Sequence, residues 1–286
     1  MIILLIQSTI VLLGINPRVV FYLGGYTCMR FDMHCHTKEG SMDGKVPISE
    51  YIQILKSRGF DGMLVTDHDS YNGFRSYRDC LKDKIQDFTV LKGIEYDTID
   101  AGHIIVILPE QIKLLLLEYR GLPVKILQDV VHKHGGILGP AHPCGERHLS
   151  ITRTRAYKKN PDIMKQFDFL EAFNSCESPQ SNLEARLLSS KYHLPMFGGS
   201  DSHHVDCIGT AYTQLDGHIA TESDLIQYIK EKKETACGGE YYQSTVKNKI
   251  GVFNHILVEG FWFYNRIASM YRSHKRKFAM SLLNHS

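Results

Sequence analysis

The sequence predicts an α/β fold, and three observations indicate a single β/α barrel. From Met29 onward, short apolar runs alternate with helical segments of about 10 to 15 residues, a pattern typical of βαβ units around a parallel sheet. The stretch from Met29 to Ser286 is close to the roughly 250 residues of such a barrel. Histidine and acidic residues cluster after the apolar runs, where barrel strands end at a common face.

The predicted strands and helices alternate along the chain. Strands are expected at residues 29–34, 62–66, 89–95, 103–108, 137–141, 167–173 and 196–199. Helices are expected at residues 48–58, 73–83, 123–134, 179–193 and 222–232. Pro47, Pro123 and Pro179 stand where a first helical turn tolerates proline, whereas Gly59 and Gly135 stand where helices end. No internal repeat is visible, so we expect one barrel domain.

The composition is that of an ordinary globular chain. Hydrophobic residues make up 43% and charged residues 22%, which argues against disorder. The net charge is +2, from 33 basic and 31 acidic residues, and this excludes a strongly basic chain that coats nucleic acid nonspecifically. The 7 cysteines are scattered and include no CxxC pair, so we expect free thiols in the reducing cytoplasm.

The two ends of the chain differ from the predicted barrel, which spans residues 29–243. Residues 1–28 are interpreted as an extension before a native start at Met29, because they match neither a membrane span nor a secretory signal. A membrane-surface anchor is the rival interpretation. Residues 244–286 are predicted to form a basic amphipathic helix packed on the barrel. Its basic tail is either solvated or in contact with nucleic acid.

Histidine and acidic side chains occur at the ends of most predicted strands. His34 and His36 are two residues apart, so on an extended strand both point to the same face. Asp201 and His203 repeat this spacing. Because the carboxyl ends of barrel strands converge on one mouth, we expect these side chains to meet there. The candidate metal ligands are His34, His36, His68, Glu95, His103, His142, Asp201 and His203, with Asp43 as an additional candidate.

This set of side chains predicts a metal centre with several ions. Neutral imidazoles mixed with carboxylates suit zinc, manganese or iron, whereas an all-oxygen set suits magnesium or calcium. One ion takes about three or four protein ligands, so eight or nine candidates suit two or three ions. Such a cluster binds phosphate oxygens and supplies a hydroxide at neutral pH, which points to hydrolysis.

The order of these motifs resembles the PHP family, the polymerase and histidinol phosphatase domain. The matching segments are MHCHT (33–37), TDHD (66–69), GIEYD (93–97), AHP (141–143) and GSDSH (199–203). The resemblance implies a distorted seven-stranded, TIM-like barrel in which two or three metal ions hydrolyse phosphoesters.

The resemblance also implies how the ligands divide among the ions. The first metal's ligands would be His34, His36, Glu95 and Asp201, the second metal's His68 and His203, and the third metal's Glu95 and His142, with His103 as a further ligand. Asp43, in the segment SMDGK, replaces a histidine of other members and resembles the branch that acts on nucleoside phosphates and short RNA or DNA ends. His68, His203 and Asp201 are the candidate catalytic residues, the two histidines as groups that assist proton transfer.

Four residues are candidates for substrate binding. Arg147 resembles, from a shifted position, an arginine with which that branch holds phosphate. Arg153 and Arg155 lie in a predicted loop above the mouth, where guanidinium groups suit a second phosphate or a carboxylate. A solvated basic loop is the alternative. Asn174 follows a predicted strand and either positions the substrate or nucleophile or caps a loop.

The leading hypothesis is a cytoplasmic, metal-dependent phosphoesterase in which a hydroxide held between metals attacks phosphorus in line. Its substrate would be a phosphorylated small molecule or an oligonucleotide, and no membrane partner is expected. The second hypothesis is an amidohydrolase, which cleaves C–N bonds on a similar barrel. The third is a noncatalytic, metal-stabilised module that binds nucleic acid through its basic C-terminal helix.

Overall fold

The computed structural model describes residues 28–145 and 149–242, together with five helical positions near the C-terminus. These five positions are exposed: Gly260, Phe263, Tyr264, Ile267 and Tyr271. The predicted N-terminal extension up to residue 27 and the rest of the predicted C-terminal helix lie outside the described residues. In the part of the chain that is described, none of the helices has the length and apolarity that a bilayer crossing requires.

The described strands form two sheets. The larger sheet contains seven strands: β1 (Cys28–Cys35), β2 (Gly62–Val65), β3 (Thr89–Asp97), β4 (His103–Ile107), β5 (Ile137–Pro140), β8 (Ala211–Asp216) and β9 (Thr235–Gly239). The smaller sheet pairs β6 (Leu170–Asn174) with β7 (Met196–Gly199) in parallel. Each strand predicted from the sequence has an observed counterpart, and β8 and β9 are additional.

The larger sheet is mixed, which corrects the prediction of a parallel sheet. Its order is β5-β4-β3-β2-β1-β8-β9, and only the β1–β2 and β2–β3 pairs are parallel. A parallel connection needs a crossover of about a dozen residues or more. Residues 98–102, between β3 and β4, are too few for one. The chain therefore turns back as a hairpin in which Asp97 pairs with His103.

The helices lie where the sequence predicts them, with one addition. The helices are α1 (Ile48–Ser57), α2 (Asn72–Cys80), α3 (Val124–Lys133), α4 (Arg155–Lys159), α5 (Pro179–Tyr192) and α6 (Glu222–Lys230). The short helix α4 was not expected from the pattern of apolar residues. The Thr154 side chain caps it by accepting a hydrogen bond from the backbone N–H of Tyr157, which satisfies a donor that the helix itself leaves unpaired.

The smaller sheet closes the curl of the larger one. β7 packs against β1, β8 and β9, while β6 packs against β5. The backbone N–H of Asp168 donates to the carbonyl of Leu138 at 2.9 Å, and the N–H of Asp201 donates to the carbonyl of His34 at 2.9 Å. The two sheets thus form a curled, barrel-like α/β fold in which the ends of β1, β3, β6 and β7 and the start of β4 meet at one face.

An apolar cluster fills the interior of this curl. It draws fully buried side chains from both sheets, among them Phe31 and Leu64 from the larger sheet and Phe197 from the smaller one. The rings of Phe169 and Phe197 stack with their centroids 4.2 Å apart. Both rings come from the side of the smaller sheet, and the Phe169 ring also lies directly against Gly139 of β5, where an added Cβ would be 2.6 Å away.

We expect Phe169→Ala to lower the free energy of unfolding by about 3 to 5 kcal/mol, because it leaves a cavity where the smaller sheet meets the interior. Chemical denaturation measured by circular dichroism tests this. The control is Leu187→Ala, since that side chain is 62% exposed and its loss should change stability by about 0.5 kcal/mol or less. Equal stability of the two variants would contradict the assignment of Phe169 to the interior.

Candidate metal centre

A buried carboxylate, Glu95, lies at the centre of a cluster of imidazoles at the common face of the strands. His103 Nδ1 lies 2.9 Å from Glu95 Oε1, and His68 Nδ1 lies 2.9 Å from Glu95 Oε2. His142 Nε2 lies 3.2 Å from Oε1, and His36 Nε2 lies 3.4 Å from Oε2. The hairpin of β3 and β4 explains the position of His103, because it returns the chain to the face that Glu95 has just reached.

The two histidines of β1 reach this cluster together. His34 and His36 are fully buried, and their Nε2 atoms lie 3.0 Å apart. Asp201 Oδ1 lies 3.3 Å from His36 Nε2 and 3.7 Å from His34 Nε2. Cys35 points to the opposite face of the strand and packs in a separate apolar cluster with residues of α1, as the alternation of side chains along a strand requires.

Asp43 lies beside two further histidines. Its Oδ2 is 3.1 Å from His203 Nε2 and 3.5 Å from His68 Nε2. The rings of His68 and His203 each stack on His36, with centroids 4.4 Å and 4.3 Å away. All nine candidate ligands of the sequence therefore belong to one connected set of side chains.

Three groups of ligand atoms in this set are compact enough to bind an ion. Within each group the ligand atoms lie no more than 4.8 Å from one another. The groups are His34, His36 and Asp201; His36, His68 and His203; and His68, Glu95 and His103. Because neighbouring groups share His36 or His68, any ions bound in them would be adjacent.

Several polar atoms of the cluster lack hydrogen-bond partners within it but are suited to bind a cation. Among the described residues, Glu95 Oε2, Asp43 Oδ1 and His103 Nδ1 are buried and have no partner with hydrogen-bond geometry. Buried polar atoms without partners are rare and costly in a native protein. Imidazole nitrogens and carboxylate oxygens converging in this way are the donor set of a zinc, manganese or iron site. The residues present therefore fit a bound divalent ion.

The electrostatics of the cluster keep its acids ionised. Burial alone raises the pKa of Glu95, but His103 and His68 outweigh it and hold the pKa well below its usual range. Burial also raises the pKa of Asp43, and His203 and His68 again hold it well below its usual range. Burial lowers the pKa of His36 to about 3, helped by its neighbours His203 and His68. His36 is thus a neutral imidazole, the form that binds metal ions.

Two histidines of the cluster have a ring nitrogen that points away from it and is hydrogen-bonded, and these hydrogen bonds orient the rings. His34 Nδ1 donates to Glu171 Oε1 at 2.9 Å, and His203 Nδ1 donates to the Asp201 carbonyl at 2.9 Å. With Nδ1 as the donor, the neutral form of each ring carries its lone pair on Nε2, the atom that faces the cluster. In metal sites such partners fix the ring and the tautomer of the ligand.

Glu171 is a site residue that the sequence analysis missed. It is buried, and besides His34 it accepts the backbone N–H of His142 at 2.6 Å. The Asn174 amide donates to Glu171 Oε2 at 3.1 Å and to Asp201 Oδ2 at 3.3 Å. One carboxylate thereby orients two candidate ligands, His34 and His142, directly and a third, Asp201, through Asn174. The segment LEAFN holds an acid inside an apolar strand, and this is the signal that could have identified it.

Asp67, in the segment TDHD, has the corresponding role for the loop after β1. Its Oδ1 accepts the backbone N–H of Thr37 at 2.6 Å and the hydroxyl of Ser41 at 3.1 Å. The same Ser41 hydroxyl lies 3.2 Å from His36 Nδ1. The fully buried Asp67 therefore connects the ligands of β1 to those that follow β2.

The backbone is strained at two candidate ligands. His142 and Asp201 have positive φ values of 30° and 50°, a region that residues other than glycine seldom occupy. Such strain persists where the surrounding structure imposes it, and it is frequent at active sites. At Gly199, an added Cβ would lie 2.2 Å from the Cβ of His34, so only glycine allows β7 to approach β1 this closely.

The candidate substrate-binding residues divide into three cases. Asn174 belongs to the site, as described above. Arg153 and Arg155 are exposed, and Arg153 Nε donates to the Gly145 carbonyl at 3.2 Å. Their loop reaches the cluster through Ser150, whose hydroxyl lies 3.5 Å from His142 Nδ1. Arg147 lies outside the described residues.

Two family models match adjacent parts of the chain. The PHP domain matches residues 32–180, more than half of the sequence. The chain belongs to the PHP family. This confirms the resemblance found in the sequence. The PHP-associated model, which describes a C-terminal region, matches residues 179–234 of this PHP protein.

Individual relatives of this PHP protein are distant. An uncharacterised protein of Methanocaldococcus jannaschii is 29% identical over 127 residues, 44% of this chain and 51% of the relative. The chain thus spans about half the length of the curated relative that it matches. A proposed metal-dependent phosphoesterase of Bifidobacterium adolescentis has a similar structure, with a TM-score of 0.51 at 15% identity, over 71% of this chain and 96% of the other.

Endonuclease Q, in complex with a 27-mer duplex that carries an abasic lesion at the active site, is also similar in structure. Its TM-score is 0.53 at 16% identity, over 73% of this chain and 58% of that chain. At these identities the likeness concerns the fold. The curled barrel of this PHP protein is thus one that known proteins share.

We expect Glu171→Gln to weaken metal binding by about 10- to 100-fold, because the neutral amide no longer satisfies His34, His142 and Asn174 together. Titration with a fluorescent chelator in competition for zinc or manganese measures this affinity. The control is Glu50→Gln on the exposed face of α1, which should bind metal as the wild type does. A folded Glu171→Gln protein with wild-type affinity would contradict the orienting role.

Proposed function

We propose that this PHP protein is a metal-dependent hydrolase of phosphoesters. The observation that carries the proposal is the shared set of ligand atoms around Glu95, in which three compact groups overlap at His36 and His68. Adjacent ions in such a set bind oxygens of one phosphoryl group at the same time, which is the arrangement typical of phosphoester hydrolysis.

We propose two or three ions, assigned as the family resemblance implies. The first ion is bound by His34, His36, Glu95 and Asp201, the second by His68, His203 and Asp43, and the third by Glu95, His142 and His103. The contacts of Asp43 with His68 and His203 support its place at the second ion. Divalent ions bound here would polarise the phosphoryl oxygens and lower the pKa of a coordinated water molecule.

Side chains of the protein orient the candidate ligands and can transfer protons. Glu171 and Asn174 hold the ligands in position, so little reorganisation is needed when charge develops on the phosphoryl group. His68 and His203 are both partly exposed at the mouth, with 21% of each side chain accessible, and either can exchange a proton with solvent. We propose that whichever of the two histidines is not held by the second ion assists proton transfer, and we assign a ligand role to the buried Asp201.

We propose a nucleotide or an oligonucleotide end as the substrate. The Asp43 arrangement supports this, since it resembles the family branch that acts on nucleoside phosphates and nucleic-acid ends. The structural similarity to an endonuclease bound to damaged DNA points in the same direction. Arg153 and Arg155, exposed in the loop that contacts His142 through Ser150, and Arg147 are proposed to bind a phosphate of the substrate.

We also propose how the chain is divided into regions and in which compartment the protein works. Residues 29–243 are proposed as the catalytic barrel and residues 244–286 as a helical region packed on it. All seven cysteines are free thiols, and they include the buried Cys35, Cys144 and Cys207. This supports a reducing compartment such as the cytoplasm.

We expect His34→Ala and Asp201→Ala to reduce phosphoester hydrolysis by at least about 10³-fold, because each loses a ligand of the first ion and leaves its neighbours misplaced. Bis-p-nitrophenyl phosphate, nucleoside monophosphates and short oligonucleotides, assayed with manganese or zinc, provide the measurement. The control is His204→Ala, since His204 is exposed beside His203 and belongs to none of the candidate ligand groups.

The outcomes separate the alternatives. Wild-type hydrolysis by a folded His34→Ala protein would contradict the proposed centre. Hydrolysis of dihydropyrimidine-type amides in place of phosphoesters would favour an amidohydrolase. Nucleic-acid binding without hydrolysis under any metal would favour the noncatalytic module.

A further inference from the structure

A second concave site lies apart from the imidazole cluster. It is a cavity of about 400 Å³, within the usual size range of small-molecule sites. Its lining is formed by Arg30, Arg58, Phe60, Gly209, Thr210, Tyr212, Gly239 and Glu240. None of these residues belongs to the candidate metal centre, so the cavity needs an explanation of its own.

Arg30 projects from β1 into this lining between two aromatic rings. The guanidinium carbon lies 4.4 Å from the centroid of Phe60 and 4.3 Å from that of Tyr212. The sandwich fixes the plane of the guanidinium group and lowers the entropy that it loses on binding a ligand. Within the described residues, the buried Nε atom of Arg30 has no hydrogen-bond partner. The guanidinium group is therefore held between the rings with its Nε–H unpaired, while Asp32, Asp61 and Glu240 are near enough to act on its charge.

Arg58 provides a second guanidinium group at the same cavity. It is exposed, and its Nη1 donates to the carbonyl of Ile208. Among the described residues of the lining, Glu240 is the one carboxylate against these two cations. The lining itself thus carries two guanidinium groups against one carboxylate, with several N–H donors beyond the one that Ile208 accepts.

We propose that this cavity is a second ligand site, which takes a small molecule with a phosphate or carboxylate group. The oxyanion would lie against Arg30 and Arg58, because guanidinium forks match the geometry of both kinds of oxyanion. The remainder of the ligand would lie along the Tyr212 ring and the backbone at Gly209 and Gly239. The two glycines contribute no side chains to this wall, and their positive φ values of 71° and 154° are ones that other residues seldom adopt.

The position of the cavity connects it to the loop after β7. Gly209 and Thr210 end the loop that carries Asp201 and His203. The Thr210 hydroxyl donates to the hydroxyl of Ser175 at 2.8 Å, and Ser175 in turn donates to the Ser200 carbonyl at 2.9 Å. The site proposed here is separate from the metal centre in its ligand groups, although both adjoin one loop.

Isothermal titration calorimetry of the full chain tests the proposal, with inorganic phosphate and citrate as the two probes. Each probe is titrated with and without prior removal of metal by a chelator. We expect at least one probe to bind the metal-free protein, because Arg30 and Arg58 need no ion. The preferred probe tells whether the natural group is a phosphate or a carboxylate.

Three variants locate the binding. Arg58→Met and Arg30→Lys should each lower the affinity for the probe by about tenfold or more, since each removes charge-assisted hydrogen bonds to the oxyanion. Arg30→Lys retains a cation between the rings, and thermal unfolding reports whether its fold is intact. The control Arg78→Met removes an exposed arginine that is paired with Asp79 and should leave the affinity unchanged.

Two results would overturn the proposal. One is the absence of binding to metal-free protein at millimolar phosphate and citrate. The other is wild-type affinity in Arg58→Met, an exposed position whose replacement leaves the core intact, because binding would then occur elsewhere. Failure of the phosphoesterase assays would leave this site unaffected, since its test uses metal-free protein.

Discussion

The burial of one carboxylate among imidazoles is the constraint on which the rest of the structure depends. Glu95 is 1% exposed and lies within 3.5 Å of ring nitrogens of five histidines. A buried acid of this kind is costly unless cations or hydrogen-bond donors compensate it, and among the described residues Oε2 has no partner with hydrogen-bond geometry. The arrangement is consistent with a fold that is completed by bound metal.

The fold meets this constraint by returning the chain repeatedly to one face. The β3–β4 hairpin carries His103 back to Glu95, and the hydrogen bond from Asp201 to the carbonyl of His34 ties the loop after β7 to β1. Behind the ligands, Glu171 and Asp67 accept the hydrogen bonds that orient them. The candidate centre is therefore built in two layers, the candidate ligands around Glu95 and, behind them, the carboxylates that accept their hydrogen bonds.

The candidate ligands could be predicted because residue type and strand alternation decide which side chains face the mouth. His34 and His36 follow this logic directly, and their placement needed no knowledge of distant contacts. The apolar segment LEAFN marks Glu171 as a buried acid, but its partner His34 is 137 residues away in the chain and follows only from the folded structure. The antiparallel direction of β4 was missed, although the short connection of residues 98–102 indicates a hairpin. β8 and the edge strand β9 were missed because polar residues interrupt the apolar ones along β8, and because β9 contains two glycines.

Glu95 is central to the proposed binding of metal ions, and the number of ions bound to each chain tests this most directly. Wild-type protein and Glu95→Gln are purified identically, loaded with manganese or zinc, desalted and analysed by inductively coupled plasma mass spectrometry beside circular dichroism. Our account predicts two or three ions for each wild-type chain and the loss of at least one ion in the folded variant. A folded Glu95→Gln protein that retains the full wild-type metal content would contradict it.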